Sequence, residues 1–157
     1  MLIQYITATN DDIELLMSSR LEMLKVVNNL PADYIFSEEL ITYSKEYFEK
    51  GNQTTILAID EENDSVIGCA TLCYMEMMPT FSHPTGKRAH LMNVYTNQDY
   101  RRKGIAMRMM ELLIIEARDR GVTEISLDAT ESGRPLYEKC GFKASDECMT
   151  LNLGKLF

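Results

Sequence analysis

The segment Thr96-Asn97-Gln98-Asp99-Tyr100-Arg101-Arg102-Lys103-Gly104-Ile105-Ala106 collects the residue types that hold anions. Strand-like sequence ends there, a short polar turn follows, and an apolar helix opens with Gly104 and Ala106 two positions apart. The first turn of any helix leaves backbone N–H groups without internal partners, and the macrodipole makes that end positive. Gly104 has no Cβ to keep a ligand off the backbone, and Ala106 keeps the next turn low. Such an opening suits a diphosphate. Between residues 87 and 108, Lys87, Arg88, Arg101, Arg102, Lys103 and Arg108 face only Asp99 as a counter-charge, which adds long-range attraction for an anion. The pattern is neither the Gly-x-x-x-x-Gly-Lys-Ser/Thr nucleotide loop nor the Gly-x-Gly-x-x-Gly dinucleotide fingerprint.

The elements that must position this segment can be read by periodicity. Leu2 to Thr7 reads as a first strand. Asn10-Asp11-Asp12 offers a cap for a helix carrying Ile13, Leu16, Met17, Leu21 and Leu24. Pro31 interrupts, and a second helix starts at Ser37 and runs to Lys50, stopped by Gly51. Thr54 to Asp60 and Ser65 to Met75 are strands joined by the polar turn Glu61 to Asp64, an antiparallel hairpin. Met77 to Lys87, with Pro79, Pro84 and Gly86, is a loop, and His90 to Thr96 returns to strand. Arg101 to Arg120 is the strongest helix: ten of the thirteen residues from Ile105 to Ala117 are apolar, so it packs on a central sheet. Glu124 to Ala129 is a strand, Arg134 to Cys140 a short helix stopped by Gly141, and Glu147 to Leu153 a last strand. The mixed order predicts one α/β domain spanning residues 1–157, with a mostly antiparallel central sheet of about six to seven strands and flanking helices.

Composition narrows the classes of function. The chain has 157 residues, 16 Lys and Arg against 24 Asp and Glu, and a net charge of −8, which argues against a general nucleic-acid partner. No apolar run approaches the ~20 residues that span a bilayer, and no secretory pattern stands at the N-terminus, so a cytoplasmic location is expected without a membrane partner. Cys69, Cys73, Cys140 and Cys148 lack metal-ligand spacing, and His83 and His90 add little to them; reduced thiols packed as small hydrophobes and no metal are expected.

Arg101-x-x-Gly104-x-Ala106 resembles the Arg/Gln-x-x-Gly-x-Gly/Ala signature of the Gcn5-related N-acetyltransferase (GNAT) superfamily, which binds the diphosphate of acetyl-CoA. Leu136-Tyr137-Glu138-Lys139-Cys140-Gly141-Phe142 is similar to that superfamily's Leu-Tyr-x-x-x-Gly-Phe segment, and the order of elements matches over nearly the whole chain. The resemblance implies the acyl-CoA N-acyltransferase fold and acetyl-CoA as co-substrate. Backbone amides of Arg102, Lys103, Gly104, Ile105 and Ala106 would then hold the diphosphate. Val94 and Thr96 would hydrogen-bond the pantetheine arm like an added strand, with an amide there, that of Val94, polarising the thioester carbonyl. Tyr137 would protonate the departing thiolate. Many relatives carry Asn seven residues before that Tyr; here Thr130 stands instead.

The reaction so implied is attack of a neutral primary amine on the thioester with both reactants bound, which needs no enzyme nucleophile. His90 lies eleven residues before Arg101, the offset at which the histone-acetylating branch places a basic carboxylate, and is a candidate base; His83, a water chain or no dedicated base are its rivals. The acceptor is expected between the first two helices and the Met77 to Lys87 loop, near Glu22, Tyr34, Phe36, Glu38 and Glu39. The acidity of residues 1–64, four Lys and Arg against thirteen Asp and Glu, would favour a cationic amine. The other readings are an acyl-CoA-binding regulatory module without turnover and a protein-interaction domain on the same scaffold, for which a homodimer joined through the terminal strands is one form.

Overall fold

The computed structural model describes residues 1–154. Strand β1 (Ile3–Thr7) leads into a 3-10 turn (Asn10–Asp12) and helix α1 (Ile13–Val27). The cap falls one residue earlier than the sequence suggests: Thr9 N–H donates to Asp12 Oδ2 at 2.9 Å while Thr9 Oγ1 accepts from Asp11 N–H at 3.3 Å. Helix α2 (Glu38–Lys50) begins on Ser37, whose hydroxyl accepts from Leu40 N–H at 3.1 Å. Strands β2 (Gln53–Asp60) and β3 (Ser65–Glu76) form the expected hairpin. Strand β4 (Lys87–Thr96) begins three residues before the predicted start. A 3-10 turn (Gln98–Tyr100) precedes helix α3 (Ile105–Asp119), and β5 (Glu124–Leu127) and α4 (Arg134–Lys139) complete the order.

The sheet runs β1-β2-β3-β4-β5, antiparallel except for the parallel β4–β5 pair. Alternation along each strand divides the core in two. On one face Ile56, Ala58, Ala70, Leu72 and Leu91 meet Met109, Met110 and Leu113 of α3, all buried. On the other, Leu57, Cys69 and Tyr95 meet Leu16 and Met23 of α1 and Phe48 of α2. Among the described residues five strands stand where six to seven were expected. Glu147 to Leu153 is not a strand here, and among the described residues no strand pairs with it to supply a ladder. Its alternate apolar residues are left in solvent, with Met149 93% exposed. Helix α3 starts at Ile105, four residues later than predicted, because Arg101 to Gly104 form the loop that delivers the chain into it.

That loop is anchored to the far strands. The Tyr100 hydroxyl donates to Asp60 Oδ2 at 2.6 Å, and Asp60 Oδ1 accepts from Glu62 N–H at 3.0 Å. Both bonds favour the carboxylate, with Tyr100 the larger influence, and hold Asp60 below the usual range. A lowered folded-state pKa adds stability above the ordinary carboxylate value, and that stability is lost as pH falls through the lowered one. Tyr100→Phe is therefore expected to lower Tm at neutral pH. Melting curves across an acid series should show the gap from wild type closing only once Asp60 protonates.

Candidate active site

The turn leading into α3 is an open cradle of amides. Arg102 and Gly104 have positive φ, 61° and 78°, and the alternation of backbone hands turns successive N–H groups toward one side. The N–H groups of Arg102, Lys103, Gly104, Ile105 and Ala106 find no protein acceptor among the described residues; the first helical bond from this end is Arg108 N–H to the Gly104 carbonyl, 3.0 Å. A Cβ placed on Gly104 would meet nothing within 4 Å, so the space over the cradle is free of protein. Lys103, over the Tyr100 ring at 5.7 Å, and exposed Arg102 supply charge at the rim. Arg101 is placed differently from a direct anion ligand: its Nε donates to the Thr96 carbonyl at 3.1 Å and ties the loop to the end of β4. The donors, the cleared space and the sign of charge fit a diphosphate.

Upstream of the cradle the sheet parts. Pairing of β4 with β5 ends at Leu91 and Leu127, and from Met92 onward β4 pairs with no strand on that side among the described residues. A register irregularity between Cys69 and Thr71 and a positive φ of 60° at Asn93 bend β4 away at the same level. Asn97 N–H points back to the Ile67 carbonyl of β3 at 2.7 Å. By strand alternation the amides of Thr96 and Val94 therefore turn toward the gap. The Thr96 hydroxyl oxygen is buried without a partner at the same place.

Tyr137 lies on α4 beyond the parting, half-buried against the α3 face of the core and edge-on to Phe142 at 6.0 Å between centroids. Burial, helped by Cys140, raises its pKa, so the phenol keeps its proton at neutral pH. Thr130, at the Asn-to-Thr departure, braces the turn before α4: its hydroxyl accepts from Gly133 N–H at 3.1 Å and its carbonyl from Arg134 N–H at 3.0 Å. That explains why a short hydroxyl residue serves there.

On the opposite side of the sheet, α1, α2, β3 and β4 line an open cavity of about 490 Å³. Tyr43, Tyr47, Phe48, Met75 and Met92 form its apolar walls, and Arg20, Thr71, Cys73, His90 and Asn93 its polar lining. His90 is seated between Ser126 Oγ, 2.7 Å from Nδ1, and Asp128 Oδ2, 3.6 Å from Nε2. His83 is elsewhere, held by Thr123 Oγ1 at 2.9 Å and Glu124 Oε2 at 3.3 Å, where it pins the 77–86 loop. The expected acidic wall is not there: Glu22, Glu38, Glu39, Tyr34 and Phe36 do not line the cavity. Glu38 and Glu39 instead occupy the first turn of α2, where they favour its dipole. Sequence reasoning missed Arg20, Asn93 and Tyr47. Arg20 alone left a signal, a cation four residues from both Leu16 and Leu24 on the apolar stripe of α1.

Residues 21–142 match the acetyltransferase (GNAT) family. A predicted acetyltransferase from Clostridium acetobutylicum, solved with acetyl-CoA, superimposes with a TM-score of 0.83 at 32% identity over 97% of each chain. The chain is 31% identical over 98 residues to glucosamine 6-phosphate N-acetyltransferase 1 of Dictyostelium discoideum, covering 62% of this chain and 60% of that one. It is 26% identical to glucosamine 6-phosphate N-acetyltransferase of Trypanosoma brucei brucei, over 87% of this chain and 89% of that one. Fold and site together define a transferase of acyl groups that uses acetyl-CoA as co-substrate. The chain belongs to the acetyltransferase (GNAT) family.

Proposed function

We propose that this protein acetylates a primary amine bound in the cavity between α1, α2, β3 and β4, by direct attack on acetyl-CoA laid across the parting of β4 and β5. The observation that carries the reading is the run of five unpartnered amides from Arg102 to Ala106, which follows the parted stretch of β4, together with an open cavity on the α1–α2 side of the sheet. Acetyl-CoA supplies the activated acetyl group; the remaining work falls to the chain.

The amides of Arg102 to Ala106 hold the diphosphate, with Lys103 and Arg102 adding charge and Arg101 keeping the loop against β4. The Thr96 and Val94 amides take the pantetheine arm as an extra strand. The Val94 amide then faces the thioester carbonyl and stabilises the negative charge that develops on its oxygen. Tyr137 gives its phenolic proton to the departing sulfur. His90, set against Ser126 and Asp128 and open to the cavity, accepts the proton lost by the amine. A protonated Tyr137 whose hydroxyl is not engaged by protein favours turnover over a silent acyl-CoA-binding module.

The four free cysteines suit a cytoplasmic setting. A homodimer is supported by the unpaired outer edge of β5 and by the exposed, alternating Met149, Leu151 and Leu153.

Thiol release from acetyl-CoA across a library of primary amines tests the assignment. We expect amine-dependent release by the wild type, and in His90→Gln a kcat lower by about 10²-fold or more with acetyl-CoA affinity kept. If acetyl-CoA at about 100 times its dissociation constant stabilises the fold by the expected ~2.7 kcal/mol while no amine accelerates release, the protein is a binding module instead.

A further inference from the structure

A series of hydrogen bonds crosses the sheet beneath the acceptor cavity and runs in one direction. Gln53 Nε2 donates to the Phe48 carbonyl at 3.2 Å, which leaves Gln53 Oε1 to accept from the Thr55 hydroxyl at 2.7 Å. That commits the single proton of Thr55, so the Thr71 hydroxyl must donate across the 2.7 Å contact between the two threonines. Thr71 Oγ1 in turn accepts from Asn93 Nδ2 at 3.1 Å. Asn93 Oδ1 is thereby turned outward, and Arg20 Nη1 donates to it at 3.2 Å. Thr55, Thr71 and Asn93 are all buried, so the series is sheltered from competing water.

The guanidinium at the end of this relay has no counter-ion. No carboxylate stands within 4 Å of it, and Asn93 is its one hydrogen-bond acceptor, among the described residues. It shares the cavity with aromatic rings, thioethers and a thiol, Tyr43, Tyr47, Phe48, Met75, Met92 and Cys73. Holding a cation there, at a position of α1 flanked by Leu16 and Leu24, costs free energy that an arriving anion recovers through paired, charge-assisted bonds.

We propose that Arg20 determines acceptor specificity: the acceptor is a small amine that also carries a carboxylate or phosphate, and this anion seats against the Arg20 guanidinium in the cavity. The inference rests on reading the cavity as the acceptor site. Asn93, Thr71, Thr55 and Gln53 are positioning residues that fix where the guanidinium points. Because Asn93 directly precedes Val94, an acceptor held by its anion presents its amine close to the amide that polarises the thioester.

Two matched pairs of acceptors test this and separate the two anions. Glucosamine 6-phosphate against glucosamine reads phosphate; an α-amino acid against its amide reads carboxylate. The wild type is expected to favour the anionic member of one pair by at least about tenfold in kcat/KM. Arg20→Met should abolish that preference through a rise in KM of about ten- to a hundredfold, with kcat and calorimetric acetyl-CoA affinity nearly unchanged. Thr71→Val should reproduce part of the KM rise and Thr71→Ser should reverse it. Equal efficiency within both pairs, or a preference that survives Arg20→Met, overturns the proposal. Should no acceptor accelerate thiol release, the acetyl-transfer reading falls separately. Calorimetric titration of the same four compounds then decides the anion contact: tighter, Arg20-dependent binding of an anionic member upholds it, and equal binding overturns it.

Discussion

Gly104→Glu should leave a folded protein that no longer binds acetyl-CoA. The substitution fills the one region over the cradle that the protein leaves free, since a Cβ at Gly104 meets nothing within 4 Å. It also puts a carboxylate where five amides converge on an anion, and a side chain on a residue at φ 78°. The strain at that φ costs about 1–2 kcal/mol, too little to unfold a domain with two packed cores. The electrostatic effect on the ligand is much larger, because the introduced charge competes for the same donors and repels the diphosphate. Calorimetry should show affinity for acetyl-CoA reduced by at least about a hundredfold, with far-ultraviolet circular dichroism unchanged. Retained affinity would remove the α3 cradle from the account.

Tyr137→Phe should separate turnover from binding. The ring packs against Phe142 and the α3 core, so phenylalanine keeps the contacts and removes only an oxygen without a protein partner. Loss of a positioned proton donor is expected to reduce kcat by about 10²- to 10⁴-fold while the dissociation constant for acetyl-CoA stays within about twofold. The raised pKa carries a further sign: activity that depends on the protonated phenol persists past neutral pH and declines only on the alkaline side. Equal losses in affinity and turnover would make Tyr137 a packing residue. The measurement is steady-state kinetics beside calorimetry on one preparation.

The parts of the site legible in the sequence are those whose chemistry resides in backbone geometry. Gly104, Ala106 and the apolar run behind them announce an open helix mouth, because a missing Cβ and a buried helix are both local properties. Tyr137 was legible only through the resemblance of Leu136 to Phe142 to the superfamily's segment. Arg20 and Asn93 were not, because they meet only through a register irregularity in β3–β4 and the crossing of α1 over the sheet. Nothing within a few residues of either records that meeting. The acidic bias of residues 1–64 misled in the opposite direction: helix-first-turn preference explains Glu38 and Glu39 without any ligand. Glu147 to Leu153 has the alternation of a strand, yet alternation cannot supply the neighbouring backbone that a strand requires.

Parting β4 from β5 gives a strand in the middle of the sheet the obligations of one at its rim. Beyond Leu91 its amides must be met by solvent or by cargo. A pantetheine arm seated there would be a removable rib laid against a sheet that already stands without it. Occupancy thus adds to the stability of a fold that also stands empty, and the supply of acetyl-CoA bears on how long the protein itself endures.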